Sequence, residues 1–505
     1  MEPASPTVPP LAALAEGRPL PDRIGRALAD ILGLELSLDG LERFFQPSFP
    51  GVRAYVIESR VAPDQAVEIR LVGIARDGRP VWRGRRAFVQ GRDGSVEIHR
   101  KLDHVDPAYK DRAITVDLVA RELELLELTK RGPSSRLTVD AEGPGRYLFA
   151  LHGYVFADET DEGSPVRSKE PFRPEGDRGL LVEAAVQVLE REGRRLGLGR
   201  IAIETAQDQA RRATSALDLA RASFDGVPNE PVEGAERELG VTRLGREILS
   251  AHETPAWRAA LYLETRDPRT RAVGDAFRRA KTRVHRESYE AELTRALSGL
   301  GSGQRPERIR ALESLGMIGR PTDARRIGSL SASEDRRVAG IAKRVGRMLD
   351  GSNLVERMME FASSEEEDPK WRGLVYRVLA EHHPEQLQGQ STLLRIHPDA
   401  RIQRAVLPVI AAEDQGTADL AAMLAANPSH ETRPGLPELR LELLERLAER
   451  ADPMTLPVIL QEHGRSHADP KETLAVSRAL VAFNDPRARL ALAEASRGQR
   501  RPPVP

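Results

Sequence analysis

The sequence predicts a multidomain protein, an α+β domain followed by an all-α solenoid, and three observations carry that expectation. At 505 residues the chain is too long for one ordinary core. Its first third alternates short β-patterned runs with helical stripes, whereas from about residue 237 onward apolar residues recur at helical spacing only. Hydrophobic residues make up 40% and charged residues 30%, enough apolar content for packed cores beneath a heavily solvated surface.

The opening MEPASPTVPPLAALAEGRPLPDR lacks a basic start and a continuous apolar centre, so residues 1–20 are expected to form a disordered arm and the protein to be cytoplasmic. The α+β domain is assigned to 21–158. DRIGRALADILGL places Ile24, Leu28, Ile31 and Leu32 on one helical stripe, with Asp22 favouring the helix start. AYVIES, AVEIRLVGIA, PVWRGRRAFVQ and SVEIHRKLDHV then cluster β-branched and aromatic residues between ARDGRP and GRDG turns, which predicts an antiparallel meander.

After Asp106-Pro107 the pattern turns helical through ITVDLVARELELLELTKRG, with a stripe of Val116, Val119, Leu123 and Leu126, ended by Gly132-Pro133. A strand, RLTVDA at 136–141, and the compact segment GPGRYLFALHGYVFAD follow. Residues 159–179 mix charge, Pro and Gly and read as an exposed loop. Residues 180–223 read as a helical extension, and 224–236 as a linker because Pro and Gly interrupt both periodicities.

The solenoid is assigned to 237–500. Candidate first helices of successive hairpins start near Pro306, Asp335, Pro369, Pro398, Leu436 and Pro470. Such hairpins bury their apolar faces only by stacking on neighbours.

Two family resemblances can be stated on particular residues. RPERIRALESLGMIGRPTDARRIGSLSASEDRRVAGIAKRVGRML resembles HEAT-type repeats: Ile309, Ala311, Leu312, Leu315, Gly316 and Ile318 match a first helix and its Gly-containing end, and Asp323, Ala324, Ile327 and Leu330 match a second. This resemblance covers roughly half the chain, carries no catalytic residue, and implies an elongated surface for a protein partner.

In the first domain the order strand, VDPAYKDRAI, helix, strand and GYVF resembles the GNAT acyltransferases. In that family a Q/R-x-x-G-x-G/A turn holds the acyl-CoA pyrophosphate on backbone N–H groups at a helix N-terminus. The resemblance puts Lys110, Asp111, Arg112, Ala113, Ile114 and Thr115 in the matching positions, with Lys110, Arg112, Ala113, Ile114 and Thr115 as the implied cofactor-binding set.

Here Lys110 replaces Gln or Arg, Ala113 the central Gly, and Thr115 a small Gly or Ala, while Asp111 adds a carboxylate beside the expected phosphate. The family's tyrosine acid falls on Phe149, with Tyr147 as the nearest substitute, and Glu97 or Asp103 stands where a base could sit. The reading is a catalytically degenerate GNAT-like module with no cofactor. The alternative is an N-acyltransferase using acetyl-CoA or another acyl-CoA, with Tyr147 and Glu97 as its catalytic residues.

Other chemistry is weaker. With no Cys in the chain, disulfides, zinc–cysteine sites and thiol nucleophiles are excluded. His104-Val105-Asp106 has facial-triad spacing, with His152 as a conceivable third ligand, but a strand ending in a polar turn explains the same residues, and no metal is expected. GLGSG at 299–303 lacks a preceding strand and reads as a linker, and His382-His383 has no third ligand nearby.

Lys and Arg total 76 against 77 for Asp and Glu, a formal charge of -1, so no global field draws in nucleic acid. A local basic stretch, Arg325, Arg326, Arg336, Arg337, Lys343, Arg344 and Arg347, leaves a solenoid nucleic-acid binder as a further alternative. No run approaches the roughly 18 apolar residues of a membrane span, so no membrane partner is expected.

Overall fold

The computed structural model describes residues 11–62, 65–91, 93–112, 114–129, 134–141, 151–152, 155–156, 174–213, 216–225, 227, 240–250, 257–262, 268–429, 431, 433–464 and 470–498. By compactness the chain divides into two units, Met1–Ala75 with Val81–Asp350, and Arg76–Pro80 with Gly351–Pro505.

In the first unit, α1 (Leu11–Ala15), α2 (Asp22–Leu32) and α3 (Leu38–Phe44) precede a meander of β1 (Val52–Val61), β2 (Val67–Ala75), β3 (Pro80–Gln90) and β4 (Val96–Val105). Helix α2 buries the expected stripe of Ile24, Leu28, Ile31 and Leu32, and Gly33 ends it in the left-handed conformation. Ser37 caps α3 by accepting from the Gly40 N–H. A 3₁₀ turn (Pro107–Arg112), α4 (Ile114–Thr129) and β5 (Arg136–Ala141) follow.

Strand β6 (Val155–Phe156), α5 (Pro174–Arg195), α6 (Arg200–Arg211), α7 (Ala216–Ala220) and α8 (Arg243–Ser250) lead to β7 (Trp257–Tyr262). The sheet has the order β1-β2-β3-β4-β5-β7-β6. Pairing is antiparallel for β1 with β2, β3 with β4, β5 with β7 and β6 with β7. It is parallel for β4 with β5, with Glu97 opposite Arg136 and His99 opposite Thr138. A parallel pair needs a crossover, and α4 supplies it. Leu28 and Ile31 of α2, Phe44 of α3 and Leu118, Val119 and Leu125 of α4 share one core with the sheet's Ile69, Phe88, Ile98 and Leu137.

Four sequence expectations are corrected. Residues 11–20, expected within a disordered arm, hold α1 and bury Leu14 and Leu20 in the core, and the Leu14 carbonyl accepts from the Ser37 N–H at 2.9 Å. Residues 257–262 form a strand wedged between β5 and β6, although the chain beyond 237 reads as helix throughout. The boundary segment 224–236 therefore does not separate sheet from helices; most of it lies outside the described residues. The exposed loop expected at 159–179 gives way to helix from Pro174. Proline suits a first helical turn, where its missing N–H has no partner to lose; residues 159–173 lie outside the described set.

Helices α9 (Pro268–Gly299), α10 (Arg305–Ile318), α11 (Ala324–Gly328) and α12 (Arg336–Asp350) complete the first unit. Helix α10 packs against α9 and α12, and α9 also packs against α4. The Tyr289 hydroxyl of α9 donates to the Ile318 carbonyl at 2.9 Å.

The second unit contains α13 (Leu354–Ser363), α14 (Pro369–His382), α15 (Ser391–Arg395), α16 (Ala400–Ala405), α17 (Leu407–Ala412), α18 (Gly416–Ala426), α19 (Leu436–Arg450), α20 (Leu456–His463), α21 (Pro470–Ala482) and α22 (Pro486–Gly498). Helices α14, α16, α19 and α21 pack one against the next, and α18, α20 and α22 do the same as a second layer.

Buried charge ties the layers together. Arg440 of α19 is fully buried and donates to Glu462 of α20, Glu472 of α21 and the Asn427 carbonyl after α18. Glu442 pairs with Arg377 at 2.9 Å, Arg404 at 2.8 Å and Arg446 at 3.1 Å. Burial alone would raise its pKa, but the three guanidiniums bring it down to about 2.

The sheet order makes a direct prediction. A fragment ending at residue 236 loses β7, so the β5 and β6 edges open and the fragment is expected to aggregate. One ending at residue 350 keeps the strand and should stay in solution with cooperative thermal unfolding. Equal behaviour of the two in size-exclusion chromatography and thermal melts would contradict the position of β7.

Candidate functional site

The segment bearing the acyltransferase resemblance is built from β4, the 107–112 turn, α4 and β5. The turn is nucleated by Asp106, whose carboxylate accepts from the Ala108 N–H at 2.8 Å while its carbonyl accepts from the Tyr109 N–H at 2.8 Å. Tyr109 is buried and meets Phe49 edge-on at 6.1 Å, and Phe49 meets Tyr289 of α9 at 6.0 Å. Apolar ring contacts thus join the turn to the first long helix after the sheet.

Lys110 and Arg112 lie within the 3₁₀ turn, and their side chains, with that of Asp111, are outside the described residues. Ala113 is outside them as well, as are Tyr147, Phe149, Gly153 and Tyr154. Ile114 opens α4 with its side chain buried in the core, and Thr115 is half-buried beside it. In the first turn of the same helix Asp117 accepts from the Ser48 N–H at 2.9 Å. Burial raises the Asp117 pKa despite that hydrogen bond.

Alternation along β4 divides its residues between two faces. Glu97 and His99 share one. Glu97 is 4% exposed, and one of its oxygens accepts from Arg136 Nε at 3.1 Å and Nη2 at 2.8 Å. The other accepts from Thr138 Oγ1 at 2.7 Å, and His99 Nδ1 lies 2.9 Å from the same hydroxyl. The parallel register creates this cluster by setting Arg136 and Thr138 directly beside Glu97 and His99.

The opposite face carries Arg100, which reaches Glu122 of α4 at 2.9 Å, and Arg86 of β3 holds the other oxygen of the same carboxylate. All three side chains are at most 1% exposed. These residues were not singled out from the sequence. A signal exists, since two arginines at inward positions of adjacent strands demand a buried acid, and Glu122 interrupts the apolar side of α4.

His152 is buried, stacks edge-on against Phe277 of α9 at 5.1 Å, and its carbonyl accepts from Arg278 Nη1 at 2.7 Å. Burial first, and then Arg278, Arg100 and Lys281, push its pKa well below the usual histidine range. His104 is exposed at the end of β4. The described residues contain no group of three His, Cys, Asp or Glu side chains able to hold a metal ion.

On the outer part of the sheet Glu68 of β2 gathers Arg60, Arg85 and Lys101 from the three other meander strands. Burial would raise its pKa, yet the hydrogen bonds from Lys101, Arg85 and Arg60 bring it to about 2. Glu68, Glu97 and Glu122 are thus each bound by two or more donors. No helix among the described residues is long and apolar enough to cross a membrane.

Comparison of the chain with protein-family models, with curated proteins and with solved structures gives no match.

Glu122→Leu leaves two guanidiniums buried without their acid, and a broken buried pair costs about 3–5 kcal/mol. Urea unfolding of the full chain should show a loss of that size in its first transition; a loss below about 1 kcal/mol is inconsistent with the triad.

Proposed function

We propose that the protein is an interaction scaffold, with a GNAT-like first module that has lost acyl transfer and HEAT-like helical hairpins that offer a surface to a protein partner. The strand, turn, helix and parallel strand formed by β4, the 107–112 turn, α4 and β5 support the first resemblance. The two layers of successively packed helices in the second unit support the other.

The observation that carries the loss of chemistry is the state of Glu97. A general base must present a free lone pair to a substrate proton. Both Glu97 oxygens are instead held by Arg136 and Thr138 inside the sheet. A substrate proton could reach this carboxylate only by breaking a buried charge pair.

The residues at the start of α4 do not fit an acyl-CoA diphosphate. A helix N-terminus attracts an anion through unpaired N–H groups and the helix dipole, and glycine allows close approach. Here the first turn already contains the Asp117 carboxylate, Ile114 is anchored in the core, and the sequence has Ala113 and Thr115 where the family has small glycine-type residues. No catalytic step is derived through this group.

The reading is tested by incubating the full chain with acetyl-CoA and a panel of primary amines and Lys-containing peptides while following thiol release. Release at the uncatalysed rate, the same for wild type and Glu97→Gln, is the expected result. Turnover in the wild type that Glu97→Gln reduces by tenfold or more would refute the proposal.

A further inference from the structure

Many arginines of this chain pair with a carboxylate, among them Arg86, Arg100, Arg136, Arg377, Arg404 and Arg440. Six basic residues of α11 and α12 do not. Arg325 and Arg326 on α11, and Arg336, Arg337, Lys343 and Arg344 on α12, are all exposed. No carboxylate pairs with any of these six among the described residues.

On α12 the spacing 336, 343 and 344 keeps these side chains on one face, which spans about 12 Å from Arg336 to Arg344 at 1.5 Å per residue. The opposite face is apolar and buried, through Val338, Ala342, Val345, Met348 and Leu349. The charges are therefore held on a rigid support.

The nearest acid at the start of this helix is already engaged. Asp335 accepts from the Arg337 and Val338 N–H groups at 3.0 and 3.2 Å and pairs with Arg305 at 3.1 Å. Gly340 lies between Arg336 and Arg344 on the same face, and a Cβ there would meet no atom within 4 Å; the same holds at Gly328 of α11. Nothing obstructs a ligand backbone from approaching between the cations.

We propose that this face of α11 and α12 binds the phosphodiester backbone of nucleic acid without reading its sequence. A protein interface is anchored by buried aromatic or aliphatic side chains. No large hydrophobic side chain is exposed between Val284 and Leu393. What the face offers is a row of guanidiniums, which bind phosphate oxygens in pairs through a planar fork. Phosphates along one strand of B-DNA rise about 3.4 Å each, so the row of about 12 Å on α12 matches roughly three or four of them. The near-zero total charge is no objection, because exposed charges more than about 10 Å apart are largely screened at 0.1 M salt, so a local cluster of cations acts on phosphate by itself.

The test uses the full chain and a fluorescein-labelled 20-base-pair DNA duplex of arbitrary sequence, with anisotropy read at 50, 100 and 200 mM KCl. Five phosphate contacts predict log K falling with log salt at a slope of about -4.5. The double variant R336E/R344E should lower affinity at least tenfold and flatten the slope by about 2, whereas R194E/R195E, on α5, should change neither. Circular dichroism confirms that each variant is folded. Absence of binding at 50 mM KCl, or binding that R336E/R344E leaves intact, would overturn the proposal. Displacement of the duplex by poly-glutamate at equal charge concentration would also overturn it, by assigning the face to acidic polypeptide instead.

Discussion

The first unit depends on one buried carboxylate shared by two guanidiniums. Glu122 of α4 lies between Arg86 of β3 and Arg100 of β4, all out of contact with water. Desolvating three charges is expensive, and the arrangement is tolerable only with each charge hydrogen-bonded to its partner. That requirement fixes the rotation of α4 over the sheet, because turning the helix would leave both arginines unpaired. With α4 fixed, the chain returns to pair β5 in parallel with β4, and the register that results sets Arg136 and Thr138 beside Glu97 and His99. Glu97 is thereby enclosed by the packing that builds the domain.

The second unit uses the same chemistry for a different end. Arg440 joins four helices through Glu462, Glu472 and the Asn427 carbonyl, and Glu442 gathers three arginines from α14, α16 and α19. Apolar burial drives helices together but is non-directional. A buried ion cluster accepts few geometries and so favours one stacking order. Several of the chain's 68 arginines serve in clusters of this kind, among them Arg86, Arg100, Arg377, Arg404 and Arg440.

Local pattern made a good part of this fold legible. The four meander strands, α2, α4 and β5 appear where alternation and helical stripes put them, because each has a strong period and a turn or cap at its ends. The helices of the second half begin within two residues of the Pro, Asp and Leu positions that announce them. Strand β7 was not legible: WRAALY is six residues long, lacks alternation, and owes its conformation to partners more than 100 residues earlier in the chain.

The site was legible in type and not in state. The family resemblance singled out Glu97, and alternation placed it on a strand, where the structure has it. Nothing local to Glu97 reveals that Arg136 and Thr138 will close on it, since that follows from parallel pairing across a crossover helix. The same limit hid the triad, whose members lie 14 to 36 positions apart and come together only when α4 packs on the sheet.

The central proposal is that the first module, which resembles an acyl-CoA enzyme, lacks a donor site. Calorimetric titration of the full chain with CoA and with acetyl-CoA, at protein concentrations able to detect millimolar binding, tests it most directly. The account predicts no saturable heat with either ligand, from protein that circular dichroism shows to be folded. Micromolar binding that Thr115→Glu abolishes would contradict it, by showing that the start of α4 still accepts the diphosphate.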